Sequence, residues 1–181
     1  PVQFLAEIRM GHGDEPAPLP DIPISGWAPY WVLPDATAAV AAHGAALHAV
    51  SPFGYSATGA TAVAFDGDAD QLLTLVEGIR AQGALVIPAI TDGMPAGAMA
   101  ALLADPASRA QHVQTIVALV QQQGFDGIDI DYEKFAFADD RTTWDTTRPN
   151  WVAFMAELAG ALHAEGKLLT VAVPPIYDTD R

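Results

Sequence analysis

From residue 22 onward, short apolar runs alternate with stretches of helical period, which predicts parallel strands joined by helices. Ile24–Trp31 (ISGWAPYW) reads as a buried strand ending in aromatic residues. Asp35 is placed to cap a short helix that stops before Gly44. Leu47–Phe53 is the second strand. Asp66-Gly67-Asp68 makes a turn, and Asp70 caps a helix with Leu72, Leu73, Leu75, Val76 and Ile79 on its inner face, ending near Gly83. Ala84–Ile90 (ALVIPAI) is continuously apolar, as strands of parallel sheets are. Asp105-Pro106 opens a helix closed by Gly124, with Val113, Ile116, Val117 and Val120 inward. Phe125–Asp131 is the fourth strand, Pro149–Glu165 a helix closed by Gly166, and Leu168–Val173 the fifth strand.

This order defines an α/β fold, either a doubly wound sheet or a (β/α)8 barrel. The first 22 residues separate from it: Gly11–Asp21 is rich in Pro, Gly and acids and reads as an extended linker behind a ten-residue leader. The rest, 23–181, holds about five βα units of roughly 30 residues. A complete barrel has eight in about 250 residues. The expected architecture is therefore a partial (β/α)8 barrel of parallel strands, ending after its fifth.

Composition narrows the chemistry. With 8 Lys+Arg against 22 Asp+Glu the net charge is −14, which repels phosphate backbones and anionic lipid and argues against nucleic-acid partners. Membrane insertion is not expected, since no apolar run reaches the ~20 residues of a span. The absence of Cys excludes disulfides, Cys-ligated zinc and thiol catalysis. Because the chain begins at Pro1 without a basic-then-apolar leader, it is expected to be a processed or partial chain.

One stretch concentrates chemistry: Gly124-Phe125-Asp126-Gly127-Ile128-Asp129-Ile130-Asp131-Tyr132-Glu133-Lys134. Strand alternation puts Asp129, Asp131 and Glu133 on one face and Ile128, Ile130 and Tyr132 on the other. With the Ile face under the helices, the acids point into the sheet interior. Burial and like charge there raise carboxyl pKa values, so at least one acid should keep a proton near neutral pH. A protonated carboxyl beside an ionised one suits acid-catalysed glycosidic cleavage. A solvated edge strand would leave the acids without this role. A calcium loop is disfavoured because Lys134 stands where an EF-hand needs Gly. A sugar-nucleotide site lacks a basic, Gly-rich phosphate cradle.

Asp126-Gly127-Ile128-Asp129-Ile130-Asp131-Tyr132-Glu133 resembles the DGxDxDxE signature of glycoside hydrolase family 18, the chitinase family. Gly26–Trp31, Ser51–Tyr55 and Val171–Pro175 resemble more loosely that family's first, second and fifth strands. The resemblance implies a retaining hydrolase whose substrate supplies the nucleophile, acting on β-1,4-linked N-acetylglucosamine glycans. It implies Glu133 as general acid and base, Asp131 orienting the 2-acetamido group, and Asp129 sharing a proton with Asp131. Asp126 and Gly127 are left as structural parts of the motif. It implies no metal and no cofactor, and a polysaccharide or oligosaccharide as partner. The family also uses residues on later strands, so the 181-residue chain by itself is expected to be inactive. Wall peptidoglycan is an alternative substrate, and a sugar-binding lectin on the same fold an alternative function.

Other candidates are fewer. Trp27, Tyr30 and Trp31 fall near the end of the first strand and Phe53 and Tyr55 end the second, where aromatic faces stack on sugars or simply pack the core and rim, Tyr30 and Trp31 being favoured over Trp27. Trp144 is placed to line a cleft, and Asp92 to reach a hydroxyl or bond its own loop. Asp66, Asp68 and Asp70 suit a capped turn better than a calcium site. The five His residues are scattered, and no Gly-x-Ser-x-Gly elbow is present. An extracellular location follows from the substrate class and the linker.

Overall fold

The computed structural model describes residues 23–173, so the leader and linker read over 1–22 and the stretch after Val173 lie outside the described residues. Five parallel strands form the sheet in the order β1 (Ser25–Pro29), β2 (Ala49–Gly59), β5 (Ala89–Asp92), β6 (Gly127–Asp131) and β7 (Leu168–Val171). Two short strands attach to β2: β3 (Ala62–Phe65), antiparallel, and β4 (Leu85–Val86), parallel. The helices α1 (Leu33–His43), α2 (Ala69–Ala81), α3 (Ala98–Ala104), α4 (Pro106–Gln123), the single-turn α5 (Lys134–Phe137) and α6 (Trp144–Ala164) connect them. Among the described residues no helix is long and apolar enough to cross a membrane.

Several boundaries differ from expectation for local reasons. A 3-10 turn at Tyr30–Val32 runs straight into α1, so the first strand stops at Pro29 and Asp35 falls in the first helical turn without capping it. Asp68, not Asp70, caps α2 by accepting from the Gln71 amide at 2.9 Å. Leu73 is 56% exposed, because Leu72, Leu75, Val76 and Ile79 complete the inner stripe and leave it round the side. The run at 84–90 is split into β4 and β5 around Pro88, which has no N–H to give a ladder. Helix α6 begins five residues before the expected Pro149, which lies inside it. Helix α3 and the β2–β3 hairpin were not anticipated, although Met99, Leu102 and Leu103 have helical spacing and are all buried.

One sheet face packs on the helices. Val50, Ile90, Ile128, Ile130 and Tyr132 join Leu75 and Ile79 of α2, Ile116 and Val120 of α4, and Phe154, Leu158 and Leu162 of α6 in one core. The other face is open and polar. Ser25, Trp27, Ala49, Ser51, Asp129 and Thr170 line one cavity of about 220 Å³. The Trp27 indole N–H donates to Asp129 Oδ2 at 3.2 Å, although β1 and β6 are separated by β2 and β5. Three strand spacings are about 14 Å on a flat sheet. The sheet therefore curls toward its polar face, as a barrel wall does.

The entry to β6 is the tightest joint. Asp126 exchanges backbone hydrogen bonds with Val86 and Leu168, and its Oδ2 accepts from the Val86 amide at 2.9 Å. The following Gly127 lets β7 approach closely: a Cβ there would collide with the Leu168 carbonyl and Cβ. Upstream, Gly124 ends α4 with φ +65°, a conformation that favours glycine. Gly127→Ala should cost about 1–3 kcal/mol, the usual range for overpacking, read as a lower urea midpoint with an unchanged slope.

His112 on α4 is fully buried. Burial pushes its imidazole down to about 4, against a smaller upward pull from the Ala60 carbonyl, which is near but makes no well-formed hydrogen bond. Unfolded histidine titrates near ~6.5, so between those values the unfolded chain binds a proton that the folded chain refuses. Stability should therefore fall as pH drops from 6.5 toward 4, by about 3 kcal/mol in all. Urea unfolding of the wild type and His112→Phe should show this slope only in the wild type.

Candidate active site

Strand β6 lies between β5 and β7, with Ile128 and Ile130 fully buried on the helical side. Alternation then fixes Asp129 and Asp131 on the polar face. Asp129 is 4% exposed. Thr170 Oγ1 donates to its Oδ1 at 2.6 Å, and Trp27 donates to its Oδ2. These two donors hold the carboxylate in a single orientation. Thr170 was not among the expected site residues and is the register partner of Asp129 on β7, whereas Trp27, expected only as a stacking surface, reaches Asp129 through the curl of the sheet.

Asp131 is the last residue of β6 and is half-buried. Burial raises its carboxyl above the ordinary aspartate value, with further upward contributions from the charges of Glu133 and then Asp129. Its register partner is Thr91, whose own partner is Ser56. The two hydroxyls are 3.3 Å apart, and Ser56 Oγ donates to Asp66 at 2.6 Å. A row of small hydroxyls therefore runs beside Asp131.

Glu133 departs from the expected strand position. The chain leaves the strand after Asp131, and Glu133, with φ −84° and ψ −8°, stands at the N-cap of α5. It lines a cavity of about 240 Å³ at the C-terminal ends of β6 and β7, with Phe135, Trp144, Thr147, Arg148, Trp151, Ala172 and Val173. The like-charge effect on Asp131 keeps the two acids electrostatically linked, although they do not share one strand face. Lys134 donates to the Met94 carbonyl and Asp139 accepts from the Gly97 amide at 2.7 Å, fastening this turn to the loop after β5. Asp92, at the end of β5, accepts from the Met94 amide at 2.8 Å. It is buried and bonds its own loop.

The aromatic candidates divide. Trp31 is exposed and stands edge-on to both Tyr30, at 5.0 Å, and Phe53, at 6.0 Å. Tyr55 is only 5% exposed and packs on Phe65 and Phe125 in the core, so it is a correction to the expected sugar contacts. The reason is a bulge in β2: Phe53 pairs with Ala89 and Tyr55 with Ile90, two residues against one. The extra residue turns Tyr55 to the helical side and brings Ser56 onto the polar face.

The sequence profile of the Glycosyl hydrolases family 18 matches residues 55–180, most of the chain. The chain belongs to that family. Its fold is close to a class V chitinase from Pseudomonas fluorescens, with TM-score 0.73 and 24% identity over 88% of this chain and 47% of that one. It is also similar to the spore cortex-lytic enzyme SleL of Bacillus megaterium, with TM-score 0.70 and 15% identity over 87% of this chain and 35% of that one. A third likeness is catalytic domain 2 of a group II chitinase from Ostrinia furnacalis, in complex with penta-N-acetylchitooctaose. Its TM-score is 0.67 and its identity 17%, over 84% of this chain and 43% of that one. The chain thus spans less than half the length of these solved structures. No curated sequence matches it significantly.

Removing either neighbouring charge should lower the Asp131 pKa, because both act upward. Carboxyl-carbon NMR titration of Glu133→Gln and Asp129→Asn should each show Asp131 ionising at lower pH than in the wild type.

Proposed function

We propose that this chain carries the acid cluster of an enzyme that hydrolyses β-1,4-linked N-acetylglucosamine glycans, chitin or its oligomers, by a retaining, substrate-assisted route. Residues 23–181 are read as the first part of its catalytic barrel. The observation that carries the proposal is the placement of three acids: Asp129 and Asp131 on the polar face of β6, and Glu133 on the cavity at its C-terminal end. Membership of the glycosyl hydrolase family, and a chitinase complexed with a chito-oligosaccharide on a similar fold, support the substrate class.

In this reading Glu133, beside an apolar cavity, donates a proton to the glycosidic oxygen as the bond to the anomeric carbon breaks. The substrate's own acetamido oxygen closes on that carbon to give an oxazolinium ion. Asp131 orients the acetamido group and stabilises the positive charge, while Asp129, held by Trp27 and Thr170, is the neighbour with which Asp131 shares a proton. Glu133 then takes a proton from the water that opens the ring. No metal or cofactor enters these steps. Trp31 and Phe53 are proposed as stacking surfaces for further sugars.

The likeness to a spore cortex-lytic enzyme makes wall peptidoglycan the second substrate class. Arg148 on the cavity wall is engaged by Asp145 at 3.2 Å, and the chain is strongly acidic, so a neutral glycan is favoured over an anionic one. Secretion accords with either polymer.

In the full-length natural chain, Glu133→Gln should reduce aglycone release from a fluorogenic chitobioside at least a hundredfold while oligosaccharide binding changes less than threefold. Surviving turnover would remove Glu133 from its role. Binding without turnover in the wild type would instead identify a lectin.

A further inference from the structure

We infer that His112 is a positioning residue for Asp131 and Glu133, acting through the hydroxyl of Tyr132. The inference rests on the hydrolase reading of these acids. His112 contributes from α4 a polar ring to a site where an apolar one would be cheaper to bury, since the imidazole is fully inaccessible. What it gains is one directional bond: Nε2 lies 2.7 Å from Tyr132 Oη, both groups being buried. Burial holds the Tyr132 hydroxyl in its protonated form, and the nearby Asp92 carboxylate acts the same way. A neutral phenol hydroxyl both donates and accepts, so either tautomer of the imidazole keeps this bond.

The rings around this bond leave little freedom. Tyr132 stacks on Phe154 at 6.0 Å with an 11° interplanar angle, and on His112 at 6.0 Å and 26°. The other face of the arrangement is closed by Phe154 against His112 at 5.6 Å and by Trp151 tilted on Tyr132. Tyr132 sits in the chain between the two acids, at the point where extended backbone gives way to the helical dihedrals of Glu133. Stacking alone lets an aromatic ring slide in its own plane. The hydrogen bond at its tip stops that slide, and so fixes the Tyr132 backbone from which both carboxyls are hung. An error of about 1 Å in such placement can cost about a hundredfold in rate.

The test uses the full-length natural chain, with His112→Phe and Tyr132→Phe each removing one side of the bond while keeping a ring. Each should lower kcat on the chitobioside about tenfold with KM changed less than twofold, and the double variant should be no worse than either single one. His112→Gln, which restores an acceptor near the Nε2 position, should recover part of the loss. Unchanged kcat in proteins that are folded but melt earlier would make His112 a core residue only and overturn the inference. A second readout needs no activity: amide hydrogen exchange at Asp131–Lys134 should quicken at least tenfold in both single variants while β2 is unaffected. Unchanged exchange there overturns the inference by itself. Should Glu133→Gln retain turnover, Glu133 loses its role, and should the wild type bind without turnover, the hydrolase reading fails; in either case the exchange result alone decides the place of His112.

Discussion

The burial of Ile128 and Ile130 is the constraint from which the rest follows. Each side chain removed from water is worth about 1.5–3 kcal/mol, and both are fully buried against the helices. A one-residue slip of β6 would forfeit that gain and place two carboxylates in the apolar core, where unpaired charge costs several kcal/mol more. The register is therefore held from the helical side, and the acids inherit their position on the polar face. The cost falls on Asp131, whose carboxyl is pushed above the ordinary aspartate value by burial and by the charges of Glu133 and Asp129.

The polar face acquires its chemistry from the curl of the sheet. Asp129 meets Trp27 across two intervening strands, and Thr170 from the neighbouring one, so its charge is met by two fixed donors. Asp131 instead feels two carboxylates.

Much of this was legible in the residues. The five parallel strands, the inner faces of α2 and α4 apart from Leu73, and the acid-bearing strand follow from periodicities of two and 3.6 that single strands and helices obey by themselves. Asp126 could be set apart from Asp129, Asp131 and Glu133 because it lies on the other phase, near the strand start. The hairpin β2–β3 was hidden because Ala60-Thr61 carries none of the usual turn residues. Glu133 was extended along the strand by a rule that holds only while the strand lasts, and β6 ends at Asp131, leaving Glu133 at the N-cap of α5.

The sequence alone determined which residues carry charge, which face of β6 is apolar, and the order of strands and helices, since these depend on near neighbours in the chain. The tertiary structure decided what each group meets. Tyr55 went to the core and Ser56 to the polar face because a bulge in β2 shifts pairing by one residue, a choice made against β5 and not within β2. Trp27, Thr170 and His112 gained their partners from segments 102, 41 and 20 residues away, distances over which no local pattern carries information and only packing can select the pair.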